Sequence, residues 1–351
     1  MPGLTATAPF PDDVPVHPLP VIDYERLQQW DSREVARLWD ASTEQGFWYL
    51  KNHGVDCEVN DMFDMGAETL DLPLEEKMRF EQGDNGDSFG YKAKGTIQTD
   101  ANGTRDNVEF LNIAQDDALS WPHPTHRTYP STVNARMNDT IIPFVRKSME
   151  VNMTILSIFE RQLGLPRGEL MRLHSTEGPG GSEARCIKTP SNQSTAGVGA
   201  HTDFGTLTFL HNRLGGLQVM PPGSQRWLYI KPLPGHAVCN IGDALSIFSG
   251  GILRSALHRA APGGQSRFER YSVAFFTRPR NSVVLRHLGQ NSDVIAHAVA
   301  KAPGGEFDTG TTSAEWVARR IRKLRLKNRQ GPETWYASLG TEHIGRTTGG
   351  V

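Results

Sequence analysis

The chain has 351 residues, of which 37% are hydrophobic and 22% are charged, with a formal net charge of −2. This composition supplies enough apolar material for a substantial core, and the nearly balanced charge gives no reason to expect nucleic acid or an anionic membrane as a partner. Three widely spaced cysteines, no signal-peptide pattern and no apolar run of roughly 18 residues predict a soluble cytoplasmic protein with free thiols.

The N-terminal half of the chain is predicted to be mainly helical. Residues 1–19 are rich in proline and small residues, so that we expect a disordered or extended arm. The predicted elements that follow are a strand at 20–23, a helix at about 32–45, a strand at 47–50, a helix at about 58–70, a short helix opened by Pro73 and a long amphipathic helix within 134–163. The polar, glycine-rich stretch 81–106 predicts a long loop or irregular hairpin, and loops of this length are often functional.

The texture of the sequence changes after residue 185. Short apolar runs alternate with Gly and Pro turn signals up to about residue 284, which predicts the short strands of a β-sandwich or barrel. The predicted strands are 198–200, 207–210, 217–219, 227–230, 244–248 and 271–276. A basic helix is expected at about 313–328, and its Arg and Lys side chains are expected to form a solvated face.

The segment His201-Thr202-Asp203 stands beside an apolar strand, where residues i and i+2 point to the same face. A second imidazole, His258, follows a Gly-Gly turn 57 residues later (258 − 201). Two neutral imidazoles and one carboxylate suit iron(II) and occupy one face of an octahedron, which leaves three positions for a co-substrate and dioxygen. The sequence therefore predicts a metal site at His201, Asp203 and His258. Asp243 is predicted to be a turn or strand-edge residue rather than a fourth ligand.

Arg270 and Ser272 begin the last strong strand and have the same parity, so that both can point inward. A guanidinium and a hydroxyl inside a barrel form a receptor for a carboxylate. A buried Arg without an anion is costly, which implies either an internal acid or a ligand carboxylate. Arg267 has the opposite parity and is the poorer candidate.

Together these residues resemble the isopenicillin N synthase-like branch of the iron(II)/2-oxoglutarate-dependent dioxygenases. The resemblance covers roughly residues 19–282 and rests on the three predicted metal ligands and on Arg270-x-Ser272. Flanking segments that match are Pro20-Val21-Ile22-Asp23, Gly46-Phe47, Asn52-His53-Gly54-Val55, Asn240-x-Gly242-Asp243 and His258-Arg259. One position departs from the branch, because Thr189 stands before Pro190 where a Tyr that often reaches the co-substrate is usual; either Thr189 makes a shorter contact or Lys188 or another residue replaces it.

The resemblance implies a mainly β (α+β) fold, with a double-stranded β-helix (jelly roll) core and helices packed around it. It implies one integrated catalytic domain that comprises the arm 1–19, an N-terminal helical region 20–165, a jelly-roll core 178–284 and a C-terminal helical extension 285–351. Iron(II) and 2-oxoglutarate would be bound, with Arg270 and Ser272 on the distal carboxylate, and dioxygen would be consumed with release of succinate and CO2. Candidate contacts to the substrate are Glu109, Phe110 and Phe276.

Three functions are compatible with these residues. The first is a 2-oxoglutarate-dependent dioxygenase that oxidises a C–H bond of a small organic molecule, in specialised (natural-product) metabolism. The second is an oxidase or oxidative cyclase of the same fold that does not use 2-oxoglutarate, in which Arg270 and Ser272 would hold the substrate's own carboxylate. The third is a catalytically silent small-molecule binder, which the intact metal ligands disfavour.

Overall fold

The computed structural model describes residues 9–191, 197–261, 268–302 and 307–341. The strands are β1 (Val21–Asp23), β2 (Phe47–Lys51), β3 (Gly90–Lys92), β4 (Glu109–Ala114), β5 (Glu183–Thr189), β6 (Val198–His201), β7 (Leu207–Asn212), β8 (Leu217–Val219), β9 (Leu228–Tyr229), β10 (His236–Ile241), β11 (His258–Ala260), β12 (Arg270–Thr277), β13 (Val284–Arg286) and β14 (Asp308–Thr312). The α-helices are α1 (Tyr24–Gln28), α2 (Ser32–Asp40), α3 (Asp56–Leu70), α4 (Leu74–Met78), α5 (Gln115–Leu119), α6 (Ser131–Asn134), α7 (Ile142–Gln162), α8 (Glu169–Leu173), α9 (Asp243–Phe248), α10 (Asp293–Lys301), α11 (Ser313–Leu324) and α12 (Pro332–Tyr336).

Two sheets form the centre of the molecule. The major sheet has the strand order β1-β2-β10-β7-β12-β5-β4-β3, and the minor sheet has the order β6-β11-β8-β9. A buried apolar cluster joins them, with Phe47 and Val238 from the major sheet against Leu217 and Val219 from the minor sheet. This arrangement confirms the predicted jelly-roll core.

The opposite face of the major sheet is covered by helices. Trp48 and Phe275 of the sheet are fully buried against Phe144 and Phe159 of α7. Their rings meet edge to face, with centroids 6.3 Å apart for Trp48 and Phe159 and 6.4 Å apart for Phe144 and Phe275. Because strand residues alternate between faces, one side of the major sheet belongs to this helix-packed core and the other side faces the jelly-roll interior.

The first predicted helix ends where the sequence places its stop. Asp31 caps α2 by accepting hydrogen bonds from the backbone N–H groups of Arg33 and Glu34. The helix continues as a π-turn over Ala41–Gln45 and ends at Gly46, whose φ of 74° lies in the left-handed region. A Cβ at Gly46 would lie 2.1 Å from the carbonyl oxygen of Arg254, so that a side chain is excluded there.

Two features of the core differ from the sequence prediction. The run 244–248, predicted as a strand, is the helix α9, whose residues are all buried. An apolar run of this length that is buried on every side has no periodicity to separate helix from strand, and the prediction was therefore wrong. The strand β10 lies outside the predicted runs, although it is central in the major sheet.

The described parts of the N-terminal arm and of the C-terminal extension contact the rest of the molecule. In the described part of the N-terminal arm, Val16 forms a parallel bridge with Tyr229 at the edge of the minor sheet. In the C-terminal part of the chain, β13 and β14 form a two-stranded antiparallel sheet in addition to the expected helices. No helix in the described ranges is long and apolar enough to cross a membrane. Arg267 lies outside the described residues.

Candidate active site

Three side chains that can ligate a metal converge in the jelly-roll interior. His201 ends β6 and is directly paired with His258, the first residue of β11. Asp203 follows two residues after His201, and its Oδ1 lies 3.7 Å from the Nε2 atom of each histidine. Their ligand atoms all lie within 4.8 Å of one another, and the described residues contain no second group of this kind. The structure thus brings together the three residues that the sequence selects.

Hydrogen bonds orient each of these side chains. The Nδ1 atom of His201 is 2.8 Å from the carbonyl oxygen of Gly199, and Nδ1 of His258 is 3.1 Å from that of Ala256. Each Nδ1 therefore carries the proton, because a carbonyl oxygen only accepts, and each Nε2 has its lone pair free. Such backbone contacts fix the tautomer and the ring orientation of metal-binding histidines.

The carboxylate of Asp203 is held through one oxygen. Its Oδ2 accepts hydrogen bonds from Thr208 Oγ1 at 2.6 Å and from Asn240 Nδ2 at 2.7 Å. Both donors stand on the inner face of the major sheet, in β7 and β10, so that the two sheets meet at this carboxylate. Oδ1 remains directed at the two imidazoles and is the oxygen that can bind a cation.

The electrostatics favour the protonation states that a metal requires. Burial and the neighbouring imidazole of His258 lower the pKa of His201 to about 3, so that its ring is neutral at physiological pH. Burial alone would raise the pKa of Asp203, but the two imidazoles and the hydrogen bonds from Asn240 and Thr208 lower it to about 2. Two neutral imidazole nitrogens and one ionised carboxylate fit iron(II), which prefers this mixed donor set with open positions.

Arg270 and Ser272 lie on the inner face of β12, as their shared parity predicts. The Nε atom of Arg270 donates to the carbonyl oxygen of Gly215 at 2.9 Å, and no carboxylate of the described residues forms an ion pair with the guanidinium. Burial lowers the pKa of Arg270 to about 10, which still leaves it cationic near neutral pH. Ser272 is buried, and its Oγ has no hydrogen-bond partner in the described structure. A guanidinium without a carboxylate partner and a hydroxyl without a hydrogen-bond partner, among the described residues, fit a ligand carboxylate better than an internal acid.

The pairing of β5 with β12 beside Arg270 shows in which direction Thr189 and Lys188 point. Thr189 is directly paired with Arg270, so that both side chains point inward, and the buried Thr189 Oγ1 has no partner among the described residues. Lys188 points to the other face, where its Nζ forms ion pairs with Asp71 and Glu269. Thr189, and not Lys188, is therefore placed to contact a ligand beside Arg270.

A cavity with about 950 Å³ of empty space, including the space at its open mouth, adjoins His201 and Asp203 of the converging group. The strands beneath it contribute Phe110, Ile187 and Phe276, and His201 and Asp203 form part of its wall. The residues that close it from above come from the stretch 81–106 and from the C-terminal helices, namely Gln82, Ser88, Lys92, Ile97, Gln98, Ile321, Leu324, Arg325 and Trp335. Its mostly apolar lining, with a few polar side chains among the apolar ones, is typical of small-molecule sites.

Glu109 does not belong to this cavity. In β4, Glu109 is the neighbour of Phe110 and therefore points to the opposite face. Its buried carboxylate accepts hydrogen bonds from Lys77 Nζ at 2.7 Å and from Tyr91 Oη at 2.6 Å. The prediction that Glu109 reaches the substrate is thus contradicted by strand parity, whereas Phe110 and Phe276 do line the cavity.

Comparison with known proteins decides the family. Residues 180–279 match the family model described as the 2OG-Fe(II) oxygenase superfamily, and residues 19–134 match the model for the N-terminal region of a non-haem dioxygenase in morphine synthesis. The 2-oxoglutarate-dependent dioxygenase frbH of Dothideomycetidae sp. is 32% identical over 77% of this chain and 85% of that protein. The chain belongs to the iron(II)/2-oxoglutarate-dependent oxygenases.

Further relatives agree with this assignment. The oxidoreductase vrtI of Penicillium aethiopicum is 31% identical to this oxygenase over 80% of the chain and 70% of that protein. Among solved structures, Neurospora crassa T7H in complex with alpha-KG superposes with a TM-score of 0.71 at 21% identity, covering 89% of this chain and 97% of that one. The first of the three predicted functions is confirmed: the protein is a 2-oxoglutarate-dependent dioxygenase that uses iron(II), 2-oxoglutarate and dioxygen.

One ion pair of this oxygenase was not anticipated from its sequence. Arg320 of α11 is fully buried, and its Nη1 contacts Oδ2 of Asp243, the first residue of α9. Arg320 Nη2 also donates to the backbone oxygen of Thr202, the residue between two predicted ligands, at 2.9 Å. Thr202 Oγ1 in turn donates to Asp243 at 3.0 Å. The pair therefore holds α11 of the C-terminal extension against the segment His201–Asp203.

This pair corrects two expectations. The basic helix was expected to present a solvated face, but Arg320 and Arg325 are both buried. Asp243 is a fully buried member of an ion pair rather than a turn or strand-edge residue, although it is indeed not part of the converging metal group. The capping box of Thr312 and Glu315 sets the start of α11 and hence the face that Arg320 occupies.

We expect Arg320→Met to lower the free energy of unfolding by about 3–5 kcal/mol, because the buried Asp243 carboxylate loses its charged partner. The measurement is chemical denaturation beside the control Arg322→Met, which removes an exposed Arg from the same helix. The double variant Arg320→Met/Asp243→Asn should regain part of the loss, since no charge is then stranded. A loss below about 1 kcal/mol for Arg320→Met would show that the pair is unimportant for stability.

Proposed function

We propose that His201, Asp203 and His258 hold the iron(II) of this dioxygenase and that Arg270 and Ser272 bind the distal carboxylate of 2-oxoglutarate. The observation that carries the proposal is the convergence of two free Nε2 atoms and one free carboxylate oxygen beside a mostly apolar cavity. When bound, iron(II) would activate dioxygen, the oxidant, which takes two electrons from 2-oxoglutarate, giving succinate and CO2, and two from the substrate C–H bond.

The residues of the chain bind, orient and exclude water. Along the inner face of β12, Arg270 and Ser272 precede Phe276, and the backbone partner of Phe276 is Thr208, which donates to Asp203. At about 3.3 Å per residue, the six steps from Arg270 to Phe276 span roughly 20 Å. This length accommodates the co-substrate between Arg270 and the metal ligands, with the organic substrate beyond them at Phe110 and Phe276.

The substrate is proposed to be a small organic molecule of specialised metabolism. The fungal relatives frbH and vrtI support this proposal, and so does the mostly apolar lining of the cavity, which is typical of sites for small organic ligands. A cytoplasmic location and the lack of nucleic-acid and membrane partners stay predictions, which cell fractionation and binding assays would test.

A metabolite library tests the proposed substrate class. Purified enzyme with iron(II), 2-oxoglutarate and dioxygen is screened for compounds that raise succinate release above the substrate-free level, and mass spectrometry identifies the oxidised product. We expect stimulation by compounds small enough for the cavity. Stimulation by a protein or a nucleic acid, with none by any small molecule, would contradict the proposal.

A further inference from the structure

A guanidinium without a carboxylate of its own faces the substrate cavity. The inner face of β5 places Arg185 next to Ile187 in the cavity floor, and Arg185 lies between two aromatic rings. Its Cζ atom is 4.4 Å from the ring centroid of Phe110 and 4.6 Å from that of Phe276. These two rings hold the planar group in one orientation, because a guanidinium stacks well on aromatic faces.

Two of the three nitrogens of Arg185 are engaged. Nε donates to Asn112 Oδ1 at 2.7 Å, and Nη2 donates to Glu183 Oε1 at 2.7 Å. Within the described residues no acceptor hydrogen-bonds with Nη1, and the side chain is 20% exposed although it lies inside the cavity. Nη1 is thus an oriented and accessible donor.

The charge of Arg185 is also incompletely balanced. Glu183 is fully buried and is shared, since Oε1 accepts from Nη2 of Arg278 at 2.8 Å as well as from Arg185. Ser88 Oγ donates to Glu183 Oε2 at 2.6 Å. Two guanidinium groups therefore surround one carboxylate, which leaves one positive charge in excess.

Arg278, which shares Glu183 and also lines the cavity, has both Nη atoms engaged: Nη1 donates to the carbonyl oxygen of Gly181 at 2.6 Å and Nη2 donates to Glu183. The two remaining cations of the described cavity wall have carboxylate partners of their own. Lys92 is fully buried in an ion pair with Asp106, and Arg325 pairs with Glu81 at 3.1 Å. Asp203 is the one carboxylate among the described residues that line the cavity, and its charge is offset by the metal that it binds in the proposed function. An anion that enters the cavity therefore finds its complement at Arg185.

We infer that the organic substrate carries a carboxylate that pairs with Nη1 of Arg185, while its apolar part lies against Phe110 and Phe276. The inference rests on the proposed function and narrows it to acidic substrates. Arg185 is only partly neutralised, because its carboxylate partner Glu183 is shared with Arg278, and a ligand carboxylate would balance the remaining positive charge through a charge-assisted hydrogen bond. A neutral isostere of the same shape makes the same apolar contacts but leaves the positive charge of Arg185 unbalanced.

The test compares matched pairs of ligands. Aromatic and alicyclic monocarboxylic acids of about 10–20 non-hydrogen atoms, a size suited to the cavity, are each paired with their primary carboxamide. Binding to the anaerobic enzyme loaded with iron(II) and 2-oxoglutarate is measured by titration calorimetry. For those acids that bind, we expect an affinity on the order of 10- to 100-fold higher than that of the matching amide.

Substitutions at Arg185 test whether this residue causes the preference for acids over amides. Arg185→Met keeps a stem between the two rings, and Glu183 keeps Arg278 and Ser88 as partners, so that the fold should survive. This variant should bind acids and amides alike, whereas the control Arg286→Met, on the exposed strand β13, should keep the preference. Arg185→Lys should restore part of it through charge alone.

Three outcomes overturn the inference. The first is that no acid binds more tightly than its amide. The second is that Arg185→Met retains the preference for acids. The third is that Arg185→Met weakens the binding of 2-oxoglutarate and not that of the acids, which would assign Arg185 to the co-substrate. Succinate release by the wild type without substrate separates these results from a failure of the proposed function. If that release is present while acids are not preferred, the dioxygenase function stands and the inference fails.

Discussion

Asp203→Ala is expected to abolish turnover and to weaken iron(II) binding by on the order of 100-fold or more. Substitution of residues that only hydrogen-bond to a metal ligand already lowers metal affinity or activity by about 10- to 100-fold. The substitution removes the one negative donor of the group, and two neutral imidazoles then remain. It also leaves Thr208 and Asn240 without their common acceptor, which costs about 1–3 kcal/mol for each buried donor. Anaerobic titration of iron(II) and substrate-free succinate release measure the two effects.

The control for this variant is Asp61→Ala, which removes an exposed carboxylate from α3. Circular dichroism and thermal unfolding of both variants separate the loss of the metal from a loss of the fold. We expect the far-ultraviolet spectrum of Asp203→Ala to match that of the wild type. If the folded variant retained most of its activity, the assignment of the metal ligands would be wrong.

Arg270→Met is expected to raise the 2-oxoglutarate requirement roughly a hundred- to several-thousand-fold. The distal carboxylate of 2-oxoglutarate loses its charged partner, which costs about 3–5 kcal/mol of binding free energy. This range gives the expected fold-change, because about 1.4 kcal/mol corresponds to a tenfold change in affinity. Ser272 then offers a hydroxyl without the charge. Kinetics over a range of 2-oxoglutarate concentrations give the KM, and anaerobic titration shows whether iron(II) still binds, as it should because Arg270 is not among the converging ligands.

Two comparisons make this prediction specific. A shorter oxoacid without the distal carboxylate should distinguish poorly between the wild type and Arg270→Met, since it has nothing to pair with Arg270. Arg270→Lys should recover little, because a Lys ammonium does not reproduce the two-pronged geometry of a guanidinium. A change in KM below tenfold for Arg270→Met would place the distal carboxylate elsewhere.

The relative placement of residues close together in the chain could be predicted from the sequence. The pairs His201/Asp203 and Arg270/Ser272 follow the two-residue period of a strand, so that their common direction is fixed locally. Helix stops such as Gly46 and the amphipathic pattern of α7 depend equally on nearby residues. The joining of His258 to the first pair could be inferred from the chemistry of the metal, which calls for a second imidazole.

Residues whose role depends on distant partners could not be assigned in this way. Glu109 and Phe110 are equally plausible from the sequence, and the pairing of β4 with β5 decided which of them faces the cavity. Arg185 carries a parity signal, since it shares the inner face of β5 with Thr189, but the sharing of Glu183 with Arg278 appears in the tertiary structure alone.

The sequence by itself determined the jelly-roll class and selected the residues proposed to bind the metal and, on β12, the ligand carboxylate, because each depends on short spacings in the chain or on a family pattern. The tertiary structure decided that α9 is a helix, that Arg320 is buried against Asp243 and that Arg185 retains an unbalanced charge beside the substrate. The physical reason is that burial and ion pairing join residues 77 and 95 positions apart, as in Arg320–Asp243 and Glu183–Arg278, and no local period encodes such contacts.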